Sequence, residues 1–273
     1  MAHWKNWTRR ALGGLVAMVV ATSAAEAARC GNDAGGFQAW KAEFAQEARA
    51  AGIGNRGLQA LAGTAYATKT IHADRNQKSF KLTLDQFMQR RGANTIISKG
   101  RSLKRQNAQL FAAIERSYGV PPGVLIAIWG METGFGSFLG NSNIVSAVAT
   151  LAYDCRRSDF FTRQLLAALT LVDRGALSAN AVGAAHGEIG QTQFLPVNVV
   201  RYGVDGDGDG RIDLIRSRAD AMASTANFLR GHGWRPGAGY QPGQPNFGAI
   251  QGWNAAGVYQ KAIAIIAAEI DGG

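Results

Sequence analysis

The segment IAIWGMETGFG at 126–136 ends an otherwise apolar helical run on a single carboxylate, Glu132. A fold that takes in this run must open a cleft onto the carboxylate or hold it partly neutral, because an unpaired charge among apolar groups is costly to bury. Upstream, Gly119 stops the preceding segment, Pro121 and Pro122 suit a helix start, and Val124, Leu125, Ile128 and Trp129 follow at helical spacing. Thr133 and Gly134 end the run. Apolar neighbours and the negative end of the helix dipole both disfavour the charged form, so the pKa of Glu132 is expected to be raised. That is the setting of a general acid. The alternative is a helix-terminal glutamate facing water.

The first residues stand apart from any core. Lys5, Arg9 and Arg10 precede an apolar run, and Ala25-Glu26-Ala27 offers a small-residue cleavage site. This pattern reads as a secretory signal peptide over 1–27, followed by one domain over 28–273. The apolar run is too short for a membrane span, and Arg29 before Cys30 argues against a lipid anchor. The expected product is exported, soluble and without a stable membrane anchor. In an oxidising compartment Cys30 and Cys155 are expected to pair and tie the new N-terminus to mid-chain. A hydrophobic content of 47% is ample for a packed core. The formal charge of +10 stays strongly positive without Lys5, Arg9, Arg10 and Glu26. For an exported protein this favours anionic envelope polymers over nucleic acid. No zinc spacing, P-loop, serine elbow or dinucleotide fingerprint is present, so no organic cofactor is expected. His72, His186 and His232 are isolated in sequence.

The periodicity is mostly helical. Leu103, Asn107, Leu110, Phe111, Ile114 and Tyr118 mark one amphipathic helix. Others begin after Ser158, run from Ala221 to Leu229, and run from Tyr259 to Ile270. Positions 235–252, rich in Gly, Pro and Gln, predict a long surface loop or flap. The run DGDGDGRID at 205–213 sets oxygen ligands at alternating positions with glycine at the sixth, as a calcium loop requires. Asp205, Asp207 and Asp209 would supply side-chain oxygens, Arg211 a backbone carbonyl, and Asp213 a direct or water-mediated contact. Arg216 occupies the twelfth position, where a bidentate glutamate would stand, and Asp220 is the candidate replacement. An Asp-Gly turn that binds nothing is the alternative. The ion, if bound, has a structural role.

Four separated motifs, METGFGS around Glu132, GEIGQTQFLP at 187–196, the aspartate loop and WNAAGVY at 253–259, together resemble the lytic murein transglycosylases of the membrane-bound B type. The resemblance covers nearly all of the chain beyond the leader. It implies a mainly α, lysozyme-like fold (α+β in detail) with a substrate groove. It also implies cleavage of peptidoglycan glycan strands between N-acetylmuramic acid and N-acetylglucosamine with formation of 1,6-anhydro ends, in the periplasm. Glu132 matches the family's single catalytic glutamate, which would serve first as acid and then as base.

The resemblance extends to supporting residues. Gln193 would meet an N-acetyl group, Tyr259 would bond to Glu132 or the acetamido group, and Phe194 and Pro196 would pack the floor of the groove. Arg156 and Arg157 would meet a peptide-stem or lactyl carboxylate. For each a structural role is the alternative: a turn-fixing amide, a core tyrosine, an exposed ion pair. Glu188 is a rival carboxylate, and if it faced the groove a two-carboxylate, lysozyme-like hydrolase would be possible. A non-catalytic, calcium-dependent wall-binding protein is the reading from another class.

Overall fold

A computed structural model describes residues 30–76 and 82–272, so the expected leader at 1–27 lies outside the described residues. Among the described residues the first half of the chain forms α1 (Phe37–Ala50), α2 (Asn55–Ala62), α3 (Thr68–Arg75), α4 (Leu84–Arg91), α5 (Ala93–Gln106), α6 (Ala108–Tyr118) and α7 (Pro122–Thr133). The second half forms α8 (Ile144–Tyr153), α9 (Ser158–Asp173), α10 (Pro196–Tyr202), α11 (Arg218–Gly231), α12 (Phe247–Trp253) and α13 (Gly257–Asp271). Two short strands, β1 (Ser142–Asn143) and β2 (Val182–Gly183), pair antiparallel with Ser142 opposite Gly183 and Asn143 opposite Val182.

Helix α7 organises the core. Its residues from Pro122 to Met131 are all buried, as an all-apolar helix must be, and α13, α5, α6 and α11 surround it. Each large side chain it hides contributes about 1.5–3 kcal/mol. Gly123 lets α13 come close, since a Cβ there would collide with the carbonyl oxygen of Ala267. Asp271, at the end of α13, accepts the Gly123 N–H at 2.8 Å and so caps the first turn of α7 from another element. At the other end Gly134 is left-handed, with φ 59°, and stops the helix one residue past Thr133. Among the described residues no helix is long and apolar enough to cross a membrane.

Two expectations are corrected. The helix read from Leu103 to Tyr118 is two helices, because Asn107 leaves helical geometry. Its side-chain amide donates to the carbonyl of Leu103 at 2.8 Å, and its oxygen accepts from Arg218 at 2.6 Å. The segment 235–252 is a surface loop through 245, as expected, but it is tied down at Asn246 and continues as a helix from Phe247. Asn246 is fully buried, accepts from the Arg235 N–H at 2.7 Å, and donates to the carbonyls of Arg235 and Ala238, both at 2.9 Å. These bonds hold the turn to the body, and α12 follows with Ala249 and Ile250 buried.

Cys30 and Cys155 form a disulfide across 125 residues of sequence. Gly31 and Cys155 extend the staple by backbone bonds, Gly31 N–H to the Tyr153 carbonyl at 2.9 Å and Cys155 N–H to the Gly31 carbonyl at 3.2 Å. α1 is thereby fixed against α8, with the rings of Phe37, Trp40 and Tyr66 all meeting that of Tyr153.

Candidate active site

Glu132 stands on the last turn of α7, the one residue of that helix between Pro122 and Thr133 that is not buried. It lines a pocket of about 400 Å³ with Glu188, Gln193, Phe194, Asn198 and Trp253 among its walls. Tyr259 on α13 donates its hydroxyl to Glu132 Oε1 at 2.7 Å, and Trp253 at the end of α12 donates its indole N–H to the same oxygen at 3.0 Å. With both donors on Oε1, the proton of the neutral acid belongs on Oε2. Burial pushes the Glu132 carboxyl above the ordinary glutamate value. The Tyr259 and Trp253 bonds and the charge of Arg91 pull the other way without overcoming it, and the Glu188 charge adds to the rise. The Tyr259 phenol is itself pushed well up by burial and by the facing carboxylate.

The donors are themselves braced. Tyr259 is buried beside Phe87, and the Arg91 guanidinium lies 5.6 Å from its ring centre. Trp253 meets Phe194 and Phe228 edge to face, with ring centres 5.4 and 5.1 Å apart. Phe194 is buried and forms one wall of the pocket. Trp253 was not assigned a role from sequence. A polar N–H on a large ring inside the WNAAGVY motif, needing a partner once buried, is the signal that could have found it.

The turn at 189–194 closes the site. Ile189 and Phe194 exchange backbone bonds at 2.7 and 2.9 Å, and the Thr133 hydroxyl donates to the Gln191 carbonyl at 2.6 Å, locking this turn to the end of α7. Gln193 has φ 57°, an unusual conformation for a side-chain-bearing residue, and its amide donates to the Gly190 carbonyl at 2.8 Å. The donor side of Gln193 therefore fixes its own turn. Its side-chain oxygen retains acceptor capacity, and the residue lines the pocket.

Arg156 and Arg157 meet a carboxylate of this chain. Both form ion pairs with Asp74, a buried residue of α3 not singled out in the sequence, and Arg75 pairs with Asp154 at 2.6 Å. His186, isolated in sequence, is not isolated in space. Its Nδ1 lies 3.3 Å from Glu188 Oε1, and its Nε2 lies 3.8 Å from Asp74 Oδ1. Burial raises the Glu188 carboxyl, but the His186 side chain and neighbouring backbone N–H groups outweigh it and hold the group below the ordinary value.

In the aspartate loop, Asp205, Asp207 and Asp209 bring carboxylate oxygens within 4.8 Å of one another. Gly210, at the sixth position, has φ 85°, the left-handed turn that glycine permits. Arg211 lies in the loop with its N–H on Asp209 Oδ1 at 2.8 Å. Asp213 and Asp220 do not join the cluster. Asp213 accepts from the backbone of Ile215 and Arg216 and from the Arg216 side chain. Asp220 is buried and clamps the loop instead, accepting the N–H groups of Gly206 at 2.9 Å and Asp213 at 2.6 Å. A larger hollow of about 990 Å³ lies elsewhere, lined by Arg56, Asn143 and Arg216 among others, and includes neither Glu132 nor Glu188.

The transglycosylase SLT domain family matches residues 36–244. The chain belongs to this family. Over 138 residues the chain is 37% identical to the membrane-bound lytic murein transglycosylase B of Escherichia coli, covering 47% of this chain and 38% of that protein. The chain thus matches well under half the length of this curated relative. SltB3 of Pseudomonas aeruginosa, solved in complex with NAG-anhNAM-pentapeptide, superposes with a TM-score of 0.81 at 29% identity, over 87% of this chain and 80% of that one. Slt35 of Escherichia coli, solved in complex with calcium, has the same fold, with a TM-score of 0.73 at 21% identity over 89% and 96% of the two chains. The expected mainly helical, lysozyme-like architecture is therefore the one this SLT domain has.

Proposed function

We propose that the chain is a lytic transglycosylase that cleaves peptidoglycan between N-acetylmuramic acid and N-acetylglucosamine and leaves 1,6-anhydro-muramoyl ends. The observation that carries this reading is Glu132, a carboxyl with a raised pKa that opens on a pocket and takes two donors on one oxygen. Family membership supports it, as does the likeness to SltB3, whose bound ligand carries an anhydro sugar. Neutral Glu132 protonates the leaving glycosidic oxygen from Oε2. As the C1–oxygen bond breaks, the acetamido carbonyl oxygen of the muramoyl residue closes on C1 and gives an oxazolinium ion. Ionised Glu132, now stabilised by the Trp253 and Tyr259 donors, takes the proton of the primary hydroxyl at C6. That oxygen displaces the acetamido oxygen at C1. Glu132 ends protonated, and no water is consumed. Gln193 lines the wall of the pocket where the N-acetyl group would lie, and the site of action is the periplasm.

Glu188 lines the same pocket, which favours one second reading, a hydrolase in which Glu188 activates water. Mass spectrometry of muropeptides released from purified peptidoglycan separates the two. Anhydro ends that vanish in Glu132→Gln establish the transglycosylase, whereas reducing ends assign the hydrolase.

The aspartate loop fits a hard cation in its donor set: three converging carboxylates, glycine at the turn, and no thiolate or imidazole. Asp205, Asp207 and Asp209 would hold a calcium ion, with Asp220 bracing the loop from behind. The ion would fix the loop and take no part in glycan cleavage.

A further inference from the structure

The pocket around Glu132 carries a charge opposite to that of the protein. The chain has a formal charge of +10, yet the residues lining this pocket include two carboxylates, Glu132 and Glu188, and no lysine or arginine. The cation nearest in effect, Arg91, stands behind the Tyr259 ring and does not line the pocket. A basic protein that places two acids and no base around one cavity has built a field favouring positive charge there.

Glu188 is also anchored as a group meant to keep its position. Its Oε2 accepts the His186 backbone N–H at 3.0 Å, and its Oε1 lies 3.3 Å from His186 Nδ1. The far side of the imidazole faces Asp74, and Asp74 is held by Arg156 and Arg157. The adjoining Gly187 has φ 85° and lies so close to α8 that a Cβ would collide with Val148, which fixes the backbone between His186 and Glu188. Both Glu188 oxygens retain acceptor capacity after the His186 contacts, since a carboxylate offers about four lone-pair sites.

The reaction proposed above creates one new positive charge, on the oxazolinium ring, and one polarised donor, its N–H. We propose that Glu188 is a second catalytic carboxylate of this site, accepting the acetamido N–H of the muramoyl residue and balancing the oxazolinium charge while Glu132 alone moves protons. Glu188 gains no proton at any stage. The N–H stays on nitrogen, C1 passes from the glycosidic oxygen to the acetamido oxygen and then to O6, and the proton shuttles through Glu132. The Asp74–His186 pair positions Glu188 from outside the pocket.

This inference rests on the transglycosylase reading, and the experiment keeps their failures apart. Wild type, Glu188→Gln and Glu188→Asp are compared for kcat and KM on purified glycan strands, with the chemical nature of the new ends recorded and folding checked by melting temperature. Binding of a thiazoline analogue of N-acetylglucosamine, which imitates the oxazolinium, is measured beside that of plain chitotriose. A role in stabilising charge gives a kcat loss of about 100-fold in Glu188→Gln with KM changed less than about threefold. Glu188→Asp should be less impaired, and the thiazoline should weaken at least about tenfold while chitotriose holds. Equal loss in the Asp and Gln variants, equal weakening of both ligands, or a Glu188→Gln kcat within about threefold of wild type overturns the second carboxylate and leaves the transglycosylase standing. Reducing ends from the wild type overturn both, because Glu188 would then be the base that activates water.

Discussion

Glu132 and Asp205 are carboxylates treated in opposite ways by one chain. Glu132 receives two side-chain donors, both on Oε1, from residues more than 120 positions away, and burial raises its pKa. Asp205 receives backbone N–H groups from Gly208, Asp209 and Gly210 within five residues. The Gly210 bond is the largest influence, and these contacts lower its pKa. Local backbone donors favour the anion and make a loop that suits a cation. Distant donors on one edge, in apolar surroundings, leave a carboxyl that can hold a proton and release it. The difference is between a carboxylate held as an anion by its own loop and one whose proton affinity is raised by burial.

The strongest test of that contrast is Glu132→Gln, which should cut the release of anhydro muropeptides by about 10³-fold or more if the acid is indispensable. It should do so without destabilising the fold. A raised folded-state pKa gives stability that is present below the unfolded value and lost as pH rises through the folded one. The variant should therefore melt at or above wild type at pH 8, with the gap closing toward pH 4. A variant that melts well below wild type at pH 8 would make Glu132 a structural residue.

On the loop side, calcium at about 100 times its Kd should stabilise the protein by about 2.7 kcal/mol. A chelator should reverse the effect, and Asp205→Asn should abolish it. No response in calorimetry would leave the loop an Asp-Gly turn. Asp220→Ala should be the next largest, costing about 2 kcal/mol because it removes the buried carboxylate that accepts the N–H groups of Gly206 and Asp213. Chemical denaturation reads this directly.

Tyr259→Phe sharpens the comparison with the smallest effect on stability, about 1 kcal/mol. The lost bond favours the Glu132 anion, so its removal should raise the Glu132 pKa further and carry the alkaline limb of kcat/KM to higher pH. A limb that moves to lower pH would mean that the hydroxyl supports the neutral acid instead. The Asp205 titration runs the other way. Its contribution is present above the unfolded pKa and is lost only as pH falls through a folded value below the ordinary 3.8 of aspartate, which carboxylate NMR can follow.

Much of this was legible in the chain. The α7 run announces itself because its caps, Pro121, Pro122 and Gly134, are local and every residue from Pro122 to Met131 is apolar. The aspartate loop is legible because alternate carboxylates and a sixth-position glycine are spaced by covalent geometry alone. Glu132 follows from the break in an apolar pattern. Asn107 was misread because a residue compatible with helical spacing used its amide to end the helix, and only the facing Arg218 shows why. Only the end of the segment 235–252 was misread, because glycine and proline content does not reveal that Asn246 would be buried and bonded on three sides.

The sequence by itself determined the helical framework, the cysteine pair, the loop of alternating aspartates and the one carboxylate out of place in an apolar run, since each is set by neighbours within a few residues or by residue type. Tertiary structure alone decided that Trp253 and Tyr259 share an oxygen of Glu132. It also decided that Asp74 answers Arg156 and Arg157, that Asp220 clamps the loop from behind, and that Glu188 faces the pocket with His186 at its back. The physical reason is range. Helix periodicity and turn chemistry act over three to five residues, whereas proton affinity depends on which charges and donors packing brings within a few ångströms, whatever their separation along the chain.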